Sequence, residues 1–321
     1  VKTFNIVVNT WAKSRQEDAG VRAQDVVDMM QKWDGACRTA EEATTPKQCS
    51  DYFEGAKANE VTLLGVVNAW SKSRHPKAPE YATSILLGAI DEAKQNPHFA
   101  LEPELFHAVL GTWTSGSTGS QAGERAEEVL STMEQCANLR GAELRPGTRA
   151  YSVVMEVWMR CEEVEKQGRG AERAEFLLRT MIDIYRRDRE HHIKPNAFCF
   201  TNCISAWSLA RYREDAPERA EAILNLLIDM YNETSDEDFR PDISGYNAVI
   251  AAWARATKRS DSMERAKEWL SSLRKYTEPD LFTFNTILDG MGKRGMGAEA
   301  LNMLECLRTT GPDSPHFLPD R

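Results

Sequence analysis

Few residues of this 321-residue sequence stand in patterns that could carry covalent or metal chemistry. Cys199 and Cys203 are spaced i, i+4, which on a helix puts two thiols on one face and would supply half of a metal site. No second pair or nearby histidine completes it, and buried thiols acting as small hydrophobes are the better reading. His191-His192 falls in the basic run 186–194 and reads as a solvated helix end, contact with a ligand or partner being the alternative. The seven cysteines (37, 49, 136, 161, 199, 203 and 306) are odd in number and lack framework spacing, which fits a reducing compartment. No phosphate-binding glycine loop, nucleophile elbow, zinc-hydrolase motif or acidic cluster for metal-dependent nucleic-acid cleavage is evident. The expectation is a chain that binds rather than catalyses, with no metal or other cofactor.

The elements that would position a binding surface are set by a repeat. Trp11, Trp70, Trp113, Trp158, Trp207 and Trp253, followed by Met291 in the equivalent place, stand at intervals of 59, 43, 45, 49, 46 and 38 residues. Around them one pattern returns: Phe4-Asn5, Val7-Val8, Trp11 becomes Tyr151-Ser152, Val154-Met155, Trp158, and then Phe200-Thr201, Ile204, Trp207. It returns again as Tyr246-Asn247, Val249-Ile250, Trp253 and as Phe284-Asn285, Ile287-Leu288, Met291. Apolar residues at i, i+3, i+4 and i+7 define one face of a helix, and the period-2 alternation of a strand is absent. A second helix follows each, marked by Glu124-Arg125-Ala126-Glu127, Glu172-Arg173-Ala174-Glu175, Glu218-Arg219-Ala220-Glu221 and Glu264-Arg265-Ala266-Lys267. The alanine lets paired helices approach. The flanking Glu and Arg are expected on the solvated side, worth a few tenths of a kcal/mol per pair.

Helix stops separate the units: Arg145-Pro146-Gly147, Lys194-Pro195-Asn196, Arg240-Pro241-Asp242 and Glu278-Pro279-Asp280. Proline cannot continue a helix, and the Asn, Asp or Gly after it suits a turn or an N-cap. One array over 1–320 is expected, with units at 1–59, 60–102, 103–147, 148–196, 197–242, 243–280 and 281–320. No unit can bury its apolar face alone, so each must stack on its neighbours. The fold class is therefore all-α, an α-solenoid of about seven helix–turn–helix repeats.

At 41% hydrophobic and 28% charged, the composition is that of a folded protein, and no run approaches the ~18 apolar residues of a membrane-spanning helix. The net charge of −9 opposes non-specific attraction to nucleic acid. The sequence starts at Val1 without a basic, apolar signal region, so it is expected to be a processed or cropped piece of a longer precursor whose targeting segment is lost.

The segments Arg240-Pro-Asp-Ile-Ser-Gly-Tyr-Asn-Ala-Val-Ile and Glu278-Pro-Asp-Leu-Phe-Thr-Phe-Asn-Thr-Ile-Leu-Asp-Gly-Met-Gly-Lys carry a resemblance to the pentatricopeptide-repeat family. It covers essentially the whole chain and is most specific in the last four units. In units two and three, Leu64 and His107 follow the aromatic position instead. Family repeats run to ~35 residues; the extra length here falls at 116–123, 162–170 and 257–262, and in a polar, turn-rich insertion at 35–55. The resemblance implies a right-handed superhelix and a partner, single-stranded RNA, in a mitochondrion or plastid. It also implies that two side chains per repeat read one unstacked base, the residue after the first-helix aromatic and the last residue of the repeat. A terminal Asp accepts the ring N–H of guanine or uracil, and Asn suits adenine or cytosine; in the first slot Asn goes with pyrimidines and Ser or Thr with purines.

Carried over unit by unit, Asn5 with Asn59 corresponds to a pyrimidine, Ser152 with Asn196 to adenine, and Thr201 with Asp242 to guanine. Asn247 with Asp280 and Asn285 with Asp320 each correspond to uracil, while Leu64 with Glu102 and His107 with Gly147 fit no pair. The implied target is 5′-YnnAGUU-3′. Eight residues after the first slot stands a cation in five units, Lys13, Lys72, Arg160, Arg255 and Lys293, whereas unit three has Ser115 and unit five Leu209 with Arg211 nearby. These cations would either line an RNA backbone or complete helix C-termini, where a positive charge meets the dipole. The tryptophans could stack bases, but they share a face with the aliphatics and read as core. The function expected is selective RNA binding in transcript stability, processing or translation. The alternative is a non-catalytic scaffold in an organellar ribosome or other large ribonucleoprotein assembly, gripping protein or structured RNA.

Overall fold

The apolar period of 3.6 is realised as fourteen α-helices in a computed structural model that describes residues 1–14, 16–42, 58–73, 75–116, 121–161, 168–188, 191–274, 276 and 278–310. In chain order they are α1 (Lys2–Ser14), α2 (Ala19–Glu42), α3 (Glu60–Lys72), α4 (Ala78–Gln95), α5 (Pro103–Gly116), α6 (Ala122–Arg140) and α7 (Thr148–Arg160). They continue with α8 (Arg169–Asp188), α9 (Ala197–Leu209), α10 (Ala216–Thr234), α11 (Ile243–Arg255), α12 (Ser262–Leu273), α13 (Leu281–Gly292) and α14 (Gly297–Thr310). Odd-numbered helices carry the tryptophan slot; α6, α8, α10 and α12 carry the Glu-Arg-Ala motif, replaced by Glu80-Tyr81-Ala82 in α4 and Ala298-Glu299-Ala300 in α14. Among the described residues there is no strand, and no helix is long and apolar enough to cross a membrane. The helix α2 runs to Glu42, so the first residues of the 35–55 insertion are helical rather than turn-rich. The rest of that insertion lies outside the described residues.

The chain divides into two compact units, Val1–Val157 and Trp158–Arg321, with the division inside α7. In the first unit α1 packs on α2 and α3, α2 on α3, α3 on α4 and α5, and α5 on both α4 and α6. In the second, α9 packs on α8, α10 and α11, and α11 on α10, α12 and α13, while α13 also meets α12 and α14. Within the units α3, α9 and α11 thus each touch the second helix on either side in sequence and the next first helix. Ala126, Ala174, Ala220 and Ala266 are fully buried, as close approach within a pair requires. Before three of the basic–proline stops, a short 3-10 turn sinks one apolar side chain into the core: Leu144, Ile193 and Phe239.

Trp70, Trp113, Trp158, Trp207 and Trp253 are buried, as is Met291 in the seventh copy of the slot. Burying an indole brings a buried N–H that needs an acceptor. The indole Nε1 of Trp207 donates to Glu175 at 2.9 Å, and that of Trp253 donates to Glu221 at 2.9 Å. Both acceptors are the last residue of the Glu-Arg-Ala-Glu motif in the preceding repeat. The motif is therefore not wholly on the solvated side, because Glu175 is only 5% exposed.

A buried carboxylate needs a counter-charge, and arginines supply it. Arg179 and Arg219 approach Glu175 at 2.7 and 3.2 Å, and Arg265 pairs with Glu221. Arg213 and Arg219 also lie over the Trp207 ring, at 5.5 and 5.6 Å from its centroid. Arg259 and Arg265 repeat this over Trp253 at 5.0 and 5.5 Å. Arg213 reaches back to Glu172 at 2.5 Å, and Arg259 pairs with Glu218 in the same way.

The other junctions keep the geometry with different chemistry. In the first unit Trp113 donates to Thr83, at the glutamate position of its motif, at 3.1 Å. The Trp70 ring stacks on Tyr81, which stands in the arginine position, with centroids 4.6 Å apart. At the last junction Met291 has no N–H to satisfy, and the charges are exchanged: Lys267 in the glutamate position pairs with Glu299 in the arginine position at 2.7 Å.

Two stability predictions follow from these junctions. Glu221 also accepts from Trp269 at 3.1 Å, so Glu221→Leu strands two indole donors. It is expected to cost roughly 2 kcal/mol or more, at ~1–3 kcal/mol per unpaired buried group, with Glu221→Gln clearly milder; denaturant unfolding checks the order. A Cβ on Gly20 would sit 2.3 Å from ring carbons of Trp70. Gly20→Ala should therefore destabilise by about 1–3 kcal/mol through overpacking, outweighing a helix-propensity gain of ~1 kcal/mol at most; a thermal melt reads the sign.

Candidate nucleic-acid interface

The residue that ends units one, four, five and six is the N-cap of the following first helix, and this explains its chemistry. The side-chain oxygens of Asn59, Asn196, Asp242 and Asp280 accept the backbone N–H three residues on, at 3.1, 3.1, 2.9 and 2.8 Å. Four N–H groups at a helix start lack intrahelical partners, and a short Asn or Asp side chain satisfies one of them. One oxygen of each residue is thus committed to the helix. The other atom, Nδ2 of Asn59 and Oδ2 of Asp242 and Asp280, has no partner among the described residues.

The first-slot residues come to these caps from the preceding helix. In the first unit Asn5 Nδ2 donates to Asn59 Oδ1 at 3.4 Å, while the Thr62 hydroxyl lies 2.6 Å from Asn5 Oδ1 and 2.8 Å from Asn59 Oδ1. The second unit repeats this arrangement: Asn247 Nδ2 donates to Asp280 Oδ1 at 3.4 Å, and the Thr283 hydroxyl is 2.6 Å from Asn247 Oδ1 and 2.7 Å from Asp280 Oδ1. Burial pushes the pKa of Asp280 up. Hydrogen bonds from the Thr283 hydroxyl and backbone and from Asn247 outweigh it and hold the carboxyl below its ordinary value. Asp280 is ionised at neutral pH and presents an acceptor.

The remaining sequence-derived positions divide. Thr201 donates its hydroxyl to Asp242 Oδ1 at 3.4 Å. Ser152 donates to the Arg149 carbonyl of its own helix at 2.9 Å; it lies in the first unit, and Asn196 in the second. Asn285 is exposed on α13, and its assigned partner Asp320 lies outside the described residues. Leu64 is half-buried and Glu102 exposed. Burial, then the Arg149 charge, push the His107 pKa down, so its imidazole is neutral at pH 7, and Gly147 brings no side chain to it.

The cations stand at the opposite ends of the first helices and differ in what holds them. Lys13, Lys72 and Arg160 are exposed in last turns. Arg255 is half-buried and donates to the Ser208 carbonyl at 3.1 Å, completing the end of α9, and Lys293 pairs with Asp289 at 2.5 Å. Burial, then the charge of Arg211, lower the pKa of Arg255. The thiols of Cys199 and Cys203 are fully buried, and desolvation pushes Cys199 up to about 11 and Cys203 well above its ordinary value.

Two features escape the sequence reading. Phe198, Phe282 and Val61, at the second position of their helices, are 54%, 59% and 55% exposed. Each lies three residues before a first-slot residue, hence on the same helix face. Their signal is an apolar residue out of phase with the buried ones. The other is threonine at the third helical position, visible in sequence only as an ordinary capping residue.

No curated protein matches this chain. The crystal structure of the pentatricopeptide repeat protein PPR10 from maize aligns at 14% identity over 97% of this chain and 39% of that one, with a TM-score of 0.42. A structure of PPR10 in complex with an 18-nt psaJ RNA element aligns at 16% identity over 97% of this chain and 45% of that one, with a TM-score of 0.35. The chain therefore spans under half the length of the solved structures it resembles, and scores this low identify nothing by themselves. Residues 229–294 match the model of the pentatricopeptide repeat domain, a segment that contains the whole α11–α12 pair together with the cap Asp280 and its partner Asn247. Residues 229–294 thus carry the pattern of a pentatricopeptide repeat domain, and that helical-pair pattern recurs along the rest of the sequence.

Proposed function

We propose that the chain binds single-stranded RNA selectively, each competent repeat reading one base with its first-slot residue and its N-cap residue. The observation that carries this reading is the shared network at Asn5–Asn59 and Asn247–Asp280, which leaves polar atoms of defined type uncommitted. Asn247 and Asp280 offer an N–H and a carboxylate oxygen, the complement of uracil's carbonyl and ring N–H. Asn5 and Asn59 offer two N–H donors, the complement of cytosine's ring nitrogen and carbonyl. Thr201 with Asp242 reads guanine, whose ring N–H the carboxylate accepts. The exposed Phe198 and Phe282 supply faces on which unstacked bases rest, at ~1–3 kcal/mol per stacked base. Lys13 and Lys72 are the cations best placed to meet phosphates, whereas Arg160, Arg255 and Lys293 already have partners.

The reading extends to Ser152 with Asn196 for adenine and Asn285 with Asp320 for uracil, giving 5′-YnnAGUU-3′. It places the protein in a mitochondrion or plastid, acting on the stability, processing or translation of a transcript. PPR10 is solved with an RNA element, which agrees with this class of ligand. A scaffold role in a large ribonucleoprotein assembly is the second reading, favoured by the net charge of −9 and by the unreadable Leu64–Glu102 and His107–Gly147 pairs.

Fluorescence anisotropy with short RNAs separates the two. The purified chain is expected to prefer 5′-YnnAGUU-3′ over the same RNA with A, G, U and U scrambled by at least about tenfold. Its affinity should fall with salt, with a slope of ~0.7 per phosphate contacted. Equal binding of both RNAs removes the base assignments. No binding, with co-purification in a megadalton particle, favours the scaffold. Asp280→Asn keeps the capping oxygen but turns the free acceptor into a donor, so it should move the preference at the sixth base from uracil to cytosine, read on the same assay.

A further inference from the structure

We infer that Thr62 and Thr283 are positioning residues for base selection, whose hydroxyls fix which end of the Asn5 and Asn247 amides faces the base. The inference rests on the reading that Asn247 with Asp280, and Asn5 with Asn59, select a base.

The orientation is determined in steps. The backbone N–H of Thr283 can meet only an acceptor, so the Asp280 atom beside it is an oxygen, and the same contact at Thr62 makes the inner atom of Asn59 its amide oxygen. That oxygen lies 3.4 Å from one end of the neighbouring first-slot amide. With the amide reversed, two oxygens would face each other there, so the near end is the NH2 group. The amide oxygen then points to the threonine hydroxyl, which lies 2.6 Å away in both units. Both threonines are fully buried at 0% exposure, so solvent does not compete for that proton, which the amide oxygen shares only with the cap oxygen 2.8 and 2.7 Å away. Without the hydroxyl the amide oxygen loses its buried donor, and the amide gains freedom to turn and offer an acceptor in place of a donor.

The fifth repeat supports the assignment by contrast. Its first slot, Thr201, brings its own hydroxyl to Asp242, and the third helical position there is Gly245. A Cβ at Gly245 would stand 3.5 Å from Thr201 Oγ1 and 3.6 Å from Asp242 Oδ1, ordinary contact distances, so sterics do not exclude a side chain. In sequence, Ser152 likewise goes with a third-position residue, Cys199, that has no hydroxyl. Across these four pairs the hydroxyl therefore sits at the third position where the first slot is Asn5 or Asn247, and in the first slot itself at Thr201 and Ser152.

The test compares the full chain and its variants on two RNAs that differ only in uracil or cytosine at the base of the sixth repeat. The wild type is expected to prefer uracil by about tenfold. Thr283→Val, isosteric and still capped through its backbone N–H, should reduce that ratio to within about twofold, and Thr283→Ser should restore it. Thr62→Val should likewise lower the selectivity at the first base and leave the sixth unchanged. A Thr283→Val chain that keeps its uracil preference overturns the inference, and so does one that loses affinity for both RNAs equally, the mark of a purely structural role. A wild-type chain that binds both RNAs alike overturns the underlying base assignment, and this inference with it.

Discussion

An indole ring pressed across the junction between two helical pairs brings with it a buried N–H, and much of the second unit is arranged to satisfy that one donor. Trp207 and Trp253 supply the apolar area that lets one pair stack on the next, and each needs an acceptor from the pair before it. Glu175 and Glu221 fill that need, and their burial calls for arginines, which also cover the indole faces. The requirement is linked from residue to residue, so it changes as a set. With Met291 there is no N–H, the acceptor position holds Lys267, and the partner position holds Glu299. Charge complementarity survives with its sign reversed, and the stacking geometry is kept by different atoms.

The opposite ends of the first helices show the same economy in another form. One Asn or Asp stops the preceding unit, caps the next helix and keeps one atom unengaged. A proline-defined turn holds the backbone there, while the neighbouring helix brings the first-slot residue to within hydrogen-bonding distance. The helix cap thus fixes the orientation of the polar atoms offered to a ligand, and rigidity at that point is inherited from the fold. A base reader on a long loop would lose entropy on ordering; a reader that already caps a helix has little left to lose.

Charge is distributed by the same logic. Arg213, Arg219, Arg259 and Arg265 are engaged at junctions with Glu172, Glu175, Glu218 and Glu221, so both signs are largely committed to stacking there. Arg255 completes a neighbouring helix end instead of facing solvent. The recurrent cation eight residues after the first slot is therefore one position with two uses, structural at Arg255 and exposed at Lys13 and Lys72.

The helical pairs, the burial of Trp70, Trp113, Trp158, Trp207 and Trp253 (Trp11 is half-buried) and the capping role of Asn196, Asp242 and Asp280 were legible in the sequence, because they depend on spacing along one helix and on the fixed properties of proline, asparagine and aspartate. The partners of Glu175 were not, since its spacing in Glu-Arg-Ala-Glu suits a solvated face as well as a junction; only the approach of Trp207, 32 residues away, buries it. The orientation of Asn5 and Asn247 was equally out of reach. An amide is symmetric to a sequence pattern, and which end faces outward depends on a hydroxyl and a cap oxygen brought together from separate helices. Sequence alone determined which residues are polar, apolar or helix-ending. Tertiary structure decided which donor meets which acceptor, because hydrogen bonds discriminate over tenths of an ångström that periodicity does not encode.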